Sequence, residues 1–106
     1  MEDASDPAAA FAALAERYAG DPDIDEGTGF GSAPGLRAGG RIFAMLPHEQ
    51  LVVKLPAERC AAMVQAGDGR LFTVGRRTMR EWLVVESRDR ATWAALADDA
   101  LAYVRS

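Results

Sequence analysis

The sequence predicts a single α+β domain spanning residues 1–106, an antiparallel sheet with helices packed on one face. Three observations predict it. Apolar residues recur at helical spacing in three separate segments. Two alternating segments, 41–46 and 50–55, are joined by so short a connection that they must run antiparallel. Six of the ten glycines gather in residues 27–40, just ahead of those strands. There they permit tight bends and close backbone approach.

Each element has its own justification. Residues 1–6 read as a flexible tail, and Asp6-Pro7 opens the first helix with Asp at the N-cap and Pro at the first helical position. Phe11, Leu14, Ala15 and Tyr18 form one apolar stripe, and Gly20 is the expected stop. Asp21-Pro22-Asp23 marks a turn, and Asp21, Asp23, Asp25 and Glu26 read as a solvated acidic loop. Pro34-Gly35 and Gly39-Gly40 are turn signals that leave Leu36 and Arg37 a short strand or an irregular crossing. In the strand Arg41 to Leu46, alternation puts Ile42, Ala44 and Leu46 on one face, with Phe43 and Met45 on the other. Pro47-His48-Glu49 is a hairpin loop. Along Gln50 to Leu55, Leu51, Val53 and Leu55 alternate against Val52 and Lys54.

Pro56 starts a second helix, with Cys60, Met63 and Val64 as its apolar face and Gly67 as its end. Asp68-Gly69 is a turn, and Leu71, Phe72 and Val74 form a short extended piece. Gly75-Arg76-Arg77 is a loop tip, and Met79 to Val85 is a strand with Trp82 and Val84 on one face. Ser87 or Asp89 caps the last helix. Its residues Trp93, Leu96, Ala97, Ala100, Leu101 and Val104 make the cleanest helical stripe in the chain.

Composition and charge bound the function. No apolar run approaches the roughly 20 residues of a membrane span, and the acidic N-terminus lacks the basic and apolar regions of a signal peptide. A cytoplasmic location is the default. One cysteine excludes an internal disulfide. The net charge is −4, but it is unevenly spread. Residues 1–26 hold eight acids and one arginine, whereas residues 27–106 hold eight acids and eleven basic residues. Acidity of the whole chain argues against strong nonspecific nucleic-acid binding, yet it permits a local basic patch.

The candidate sites follow from that balance. The glycines fail the dinucleotide fingerprint: counting G-x-G-x-x-G from Gly27 ends on Ser32, and from Gly29 on Pro34. They also precede a strand rather than a helix. His48 is the only histidine, and no zinc-ligand spacing accompanies Cys60, so no metal or cofactor is expected. Cys60 reads as a small buried hydrophobe; a Cys-His pair would need an exposed, activated thiolate. Trp82 and Trp93 read as core or sheet-face aromatics. The arginines around the loop tip are the main polar feature: Arg70, Arg76, Arg77 and Arg80, then Arg88 and Arg90. Arginine forks recognise phosphate or carboxylate, and Phe72 and Trp82 lie close enough in sequence for stacking. The alternative is that Arg80 pairs with local acids and the others face water.

Four stretches carry a family resemblance. They are Gly29–Gly31 with Gly39–Leu46, Leu51–Pro56 leading to Ala66–Gly69, Phe72–Gly75, and Met79–Trp82 with Val84 and Val85. In that order and spacing, the chain resembles the TfoX N-terminal domain and the MmcQ/YjbR-like family from about Phe11 to Val104. The resemblance implies a bacterial protein with a curved antiparallel sheet and three helices, like that of secretion chaperones. Members are often labelled DNA-binding, and no catalytic motif carries over. Full competence regulators continue into a further helical domain beyond the point matching Ser106, so the expectation is a binding module and not a complete regulator.

The expected function is a non-enzymatic binding module of regulatory type whose partner is DNA or a protein. The expected nucleic-acid contacts are Arg76, Arg77 and Arg80, with Lys54 and Arg41 as helpers on the sheet. The alternative is a chaperone-like protein-interaction module using an edge or face of strands 41–46 and 50–55. The expected state is a monomer or weak homodimer, without membrane or metal.

Overall fold

A computed structural model describes residues 6–106. The proposed tail lies outside the described residues except for Asp6, which caps the first helix through its carboxylate and the Ala9 N–H. The elements are α1 (Pro7–Arg17), β1 (Ile24–Thr28), β2 (Pro34–Ala38), β3 (Arg41–Met45), a short 3₁₀ turn (Pro47–Glu49), β4 (Val52–Lys54), α2 (Ala57–Gln65), β5 (Gly69–Val74), β6 (Arg77–Val85) and α3 (Arg90–Arg105). The six strands form one sheet in the order β1-β2-β3-β4-β6-β5, with every pairing antiparallel. The α+β class and three helices match the expectation. Among the described residues, no helix is long and apolar enough to cross a membrane.

All three helices feed one core on one face of the sheet. Phe11, Leu14 and Tyr18 of α1 and its C-cap meet Trp93, Leu96, Ala97 and Ala100 of α3. They pack there with Leu36, Phe43, Leu51, Val53, Leu55 and Leu83 from the sheet and Cys60 from α2. Asp89 caps α3 by accepting from the Thr92 N–H at 2.9 Å. Ser87 sits one step earlier, accepting from the Asp89 N–H. The α1–α3 contact is locked at its rim by Asp98, which accepts from Arg17 and from the Tyr18 hydroxyl at 2.7 Å. The Arg17 hydrogen bond holds the Asp98 carboxyl below its usual range, and burial, then Asp98, pushes the Tyr18 phenol up.

Four local expectations are corrected. Only half of the acidic segment is a loop: Asp21 and Asp23 lie in the turn before β1, whereas Asp25 and Glu26 belong to Ile24–Thr28, an edge strand paired with β2. Arg37 pairs with Asp25 of the strand at 2.9 Å and Arg105 with Asp21 of the preceding turn at 2.7 Å, so a low-propensity segment is held by tertiary pairing. The alternation in β3 breaks at a bulge. Leu36 faces Ala44 and Arg37 faces Ile42, leaving Phe43 as the extra residue. Phe43 therefore turns to the helical face, where its ring meets Tyr18 edge-on at 5.5 Å. Helix α1 ends at Arg17 rather than at Gly20. Val64 points off the α2 core face and is 38% exposed.

The other face of the sheet carries a second, smaller apolar cluster of Met45, Val52, Trp82 and Val84, flanked by Ile42, Phe72 and Met79. Its cover comes from the β1–β2 connection. Phe30, just beyond edge strand β1, stacks on Phe72 of the opposite edge strand β5 with ring centroids 5.8 Å apart. The sheet is therefore strongly curved about this helix-free face. Truncating the bulge residue tests the packing: Phe43→Ala should cost about 3–5 kcal/mol, the usual range for a buried Phe, measured by urea unfolding.

Candidate functional site

Antiparallel register brings four of the five proposed cations to one end of the sheet. Met45 faces Val52, so the Arg41 end of β3 lies beside the Lys54 end of β4. Lys54 in turn faces Trp82 of β6. Beyond Trp82 the β5–β6 ladder is irregular: Leu71 pairs with Leu83 but Phe72 pairs with Met79, so Arg80, Glu81 and Trp82 face no residue of β5. A bulge of this kind re-aims side chains. The hairpin tip, with Gly75 at positive φ, carries Arg76 past the end of the ladder, whose last pair is Val74 with Arg77.

Two adjoining depressions result, and they share Lys54 and Trp82. One, of about 440 Å³, has Arg77, Arg80 and Met79 in its wall. The other, of about 480 Å³, has Arg41, Ile42 and Tyr103. Arg76 stands at the turn and lines neither of them.

Trp82 is the floor between the two. The Lys54 ammonium lies 5.0 Å from its ring centroid, a cation–π distance. Glu81 anchors the same lysine at 3.2 Å and accepts from the Tyr103 hydroxyl at 2.9 Å. Those two donors, Tyr103 first, hold the Glu81 carboxyl below its usual range, and the same bond pushes the Tyr103 phenol up. Arg41 donates to the Val104 carbonyl at 3.3 Å and so faces no carboxylate.

Charge pairing differs across the surface. Arg17, Arg37, Arg59, Arg70 and Arg105 each hold a carboxylate. Among the described residues, Arg41, Arg76, Arg77 and Arg80 pair with none, and neither do Arg88 and Arg90, which lie beyond the far end of β6 and line neither depression. The bland reading of Arg80 as locally paired therefore does not hold, whereas Arg70, bonded to Glu86 and Gln50, is locally engaged.

The remaining candidates fall into structural roles. Cys60 is fully buried and its thiol donates to the Leu55 carbonyl. Burial, then the nearby Glu81, pushes that thiol up, away from the thiolate a nucleophile needs. His48 sits in the exposed turn between β3 and β4 at a left-handed φ of 53°. Among the described residues, no three His, Cys, Asp or Glu side chains come together as metal ligands.

Periodicity gave no sign of Phe30, Glu81 or Tyr103. The available signal for Phe30 was an aromatic residue set between two glycines. Gly29 has to be glycine, because a Cβ there would meet Met45 Sδ at 2.7 Å. That close approach lays Phe30 over the helix-free face, edge-on to Trp82 at 5.3 Å. Phe72 and Trp82 thus already stack with a residue of the chain itself. The strands expected to pair with a partner, 41–46 and 50–55, form the middle of the sheet, and the open edges belong to β1 and β5.

Comparison with known protein families, with curated proteins and with solved structures finds no match.

The Glu81 cluster generates a pH prediction. Its carboxyl is depressed in the fold, so its contribution to stability is present above the ordinary value of 4.5 and is lost as pH falls through the lower folded value. Glu81→Gln should reduce the loss of stability on acidification below that value, read from urea midpoints at a series of pH values.

Proposed function

We propose that the protein is a non-enzymatic binding module that takes nucleic-acid phosphates at the basic end of its sheet. The observation that carries this reading is the convergence of Arg41, Lys54, Arg77 and Arg80 around Trp82, on a chain whose other sheet-side and helix arginines are mostly tied to carboxylates. Unpaired guanidinium groups keep their five donors available, and their fork fits phosphate oxygens in pairs. Arg76, at the hairpin tip beside Arg77, extends the contact surface past the end of the ladder. The resemblance to the TfoX N-terminal and YjbR-like family supports the same class of ligand. The reading implies phosphate contacts first and little base-edge recognition, so affinity should be strongly salt-dependent.

Replacing Arg76, Arg77 and Arg80 together by Ala should weaken DNA binding across all sequences. The slope of log K against log salt should flatten by roughly 2, at about 0.7–0.9 per lost phosphate contact. Fluorescence anisotropy over a salt series measures both, and an unchanged affinity and slope removes the reading.

A second reading rests on the edge strand β5, six residues long and paired on one side only, with Val74 45% exposed at its end. Such an edge accepts a strand from another chain. If it pairs with itself, light scattering at rising concentration should show a dimer, and Val74→Lys should abolish it; a strict monomer argues against self-pairing.

A further inference from the structure

We propose that Phe30 occupies a base-stacking slot, and that the preferred ligand is therefore single-stranded nucleic acid whose unpaired base displaces it. This rests on the phosphate-binding reading above. The slot is defined by two rings. Phe72 lies stacked under Phe30 with an interplanar angle of 22°, and Trp82 meets it edge-on. Both rings are anchored on β5 and β6, within the apolar cluster that also holds Met45, Val52 and Val84.

Phe30 itself is the least anchored of the three. It is 38% exposed, and it rides on the β1–β2 connection between Gly29 and Gly31, the latter at φ +66°. Beyond its two ring contacts, the connection is closed by the Gly29 N–H to the Ala33 carbonyl at 2.7 Å and the Ala33 N–H to the Phe30 carbonyl at 3.5 Å. The connection itself supplies no residue to the helical core, whose nearest members along the chain are Ile24 and Leu36.

The cations sit where a nucleotide needs them. A nucleotide joins a flat ring to a phosphate through a sugar. The edge of the slot is Trp82, whose ring centroid lies 5.0 Å from the Lys54 ammonium, and Trp82 also lines the depression that holds Arg77 and Arg80. Every base has a π-face, so such a slot is tolerant of sequence. A duplex keeps its bases stacked on one another and must be unstacked before one enters, so it meets only the cations.

The experiment compares wild type and Phe30→Ala with three fluorescent probes at one salt concentration: a short oligothymidylate, an abasic strand of the same length, and a duplex. Wild type should bind oligothymidylate more tightly than the abasic strand. Phe30→Ala, with the slot emptied, should tighten oligothymidylate about fivefold or more, leaving the abasic strand and duplex unchanged. Oligothymidylate, and not the abasic strand, should also change the tryptophan emission of the wild type, with Trp82 as the reporter because its ring contacts Phe30, whereas Trp93 packs on the opposite, helical face. That second measurement stands even if Phe30→Ala folds poorly. Equal affinity for oligothymidylate and abasic strand, with unaltered emission, overturns the slot and leaves the phosphate reading intact. A preference that Phe30→Ala leaves unchanged, or weakens, overturns displacement by showing Phe30 to be idle or itself the platform. No binding of any probe overturns both readings together.

Discussion

Both faces of the central strands are apolar, and each has to be covered from a different source. On one face the cover is the helical layer, dominated by the Trp93–Leu96–Ala97–Ala100 stripe of α3. On the other there is no helix, yet Met45 and Val52 are as fully buried as the helical core. Curvature of the sheet and the Phe30 connection supply that second cover. The rest of the molecule follows from this requirement. To bring Phe30 over Met45, the chain must pass so close that only Gly29 fits. To bring Phe72 under Phe30, the β5–β6 ladder has to slip at Leu71/Phe72. The same slip leaves Arg80, Glu81 and Trp82 without a partner on β5, so the apolar closure and part of the basic end share one distortion.

Electrostatics then divides the surface. Carboxylates are spent where strands or helices need fastening: Asp25 on the β1–β2 ladder, Asp98 between α1 and α3, Asp99 with Arg59 between α3 and α2. These exposed pairs each contribute little to stability. Their larger consequence is that they neutralise arginines over most of the surface. The acidic segment ahead of β1, which dominates the chain's net charge, is itself held by Arg105 and Arg37. A net charge of −4 therefore coexists with a locally cationic end.

The parts of the fold legible in the sequence are those governed by local period. The α3 stripe, the alternation of Leu51, Val53 and Leu55 against Val52, and the Asp6-Pro7 cap all stand as read. What failed depends on contacts distant in sequence. Ile24–Thr28 has the composition of a loop, and only pairing with β2 makes it a strand. Phe43 changes face because a bulge, a property of the β2–β3 pair and not of either strand, inserts one residue. The same holds for the site. Charge alone singled out Arg41, Lys54, Arg77 and Arg80, but their convergence requires β4 to lie beside β6 and not beside β5. That choice of neighbour leaves no trace in period or composition.

The glycine block shows how one composition signal can carry two meanings. As a phosphate cradle it fails on spacing, and its chain continues into an edge of the sheet. Its physical role is to let backbone approach side chain: Gly29 over Met45, and Gly27 and Gly35 facing each other across the β1–β2 ladder, where a Cβ on Gly27 would meet Arg37. A segment built for close approach has few side chains to hold it down. Phe30 is the exception, one large, partly exposed ring on a thin connection, held by contact with two other rings rather than by its own element. Such a residue covers apolar surface without being committed to it. That combination, an anchored aromatic floor under a weakly tethered aromatic cover beside unpaired cations, distinguishes this face from an ordinary second core.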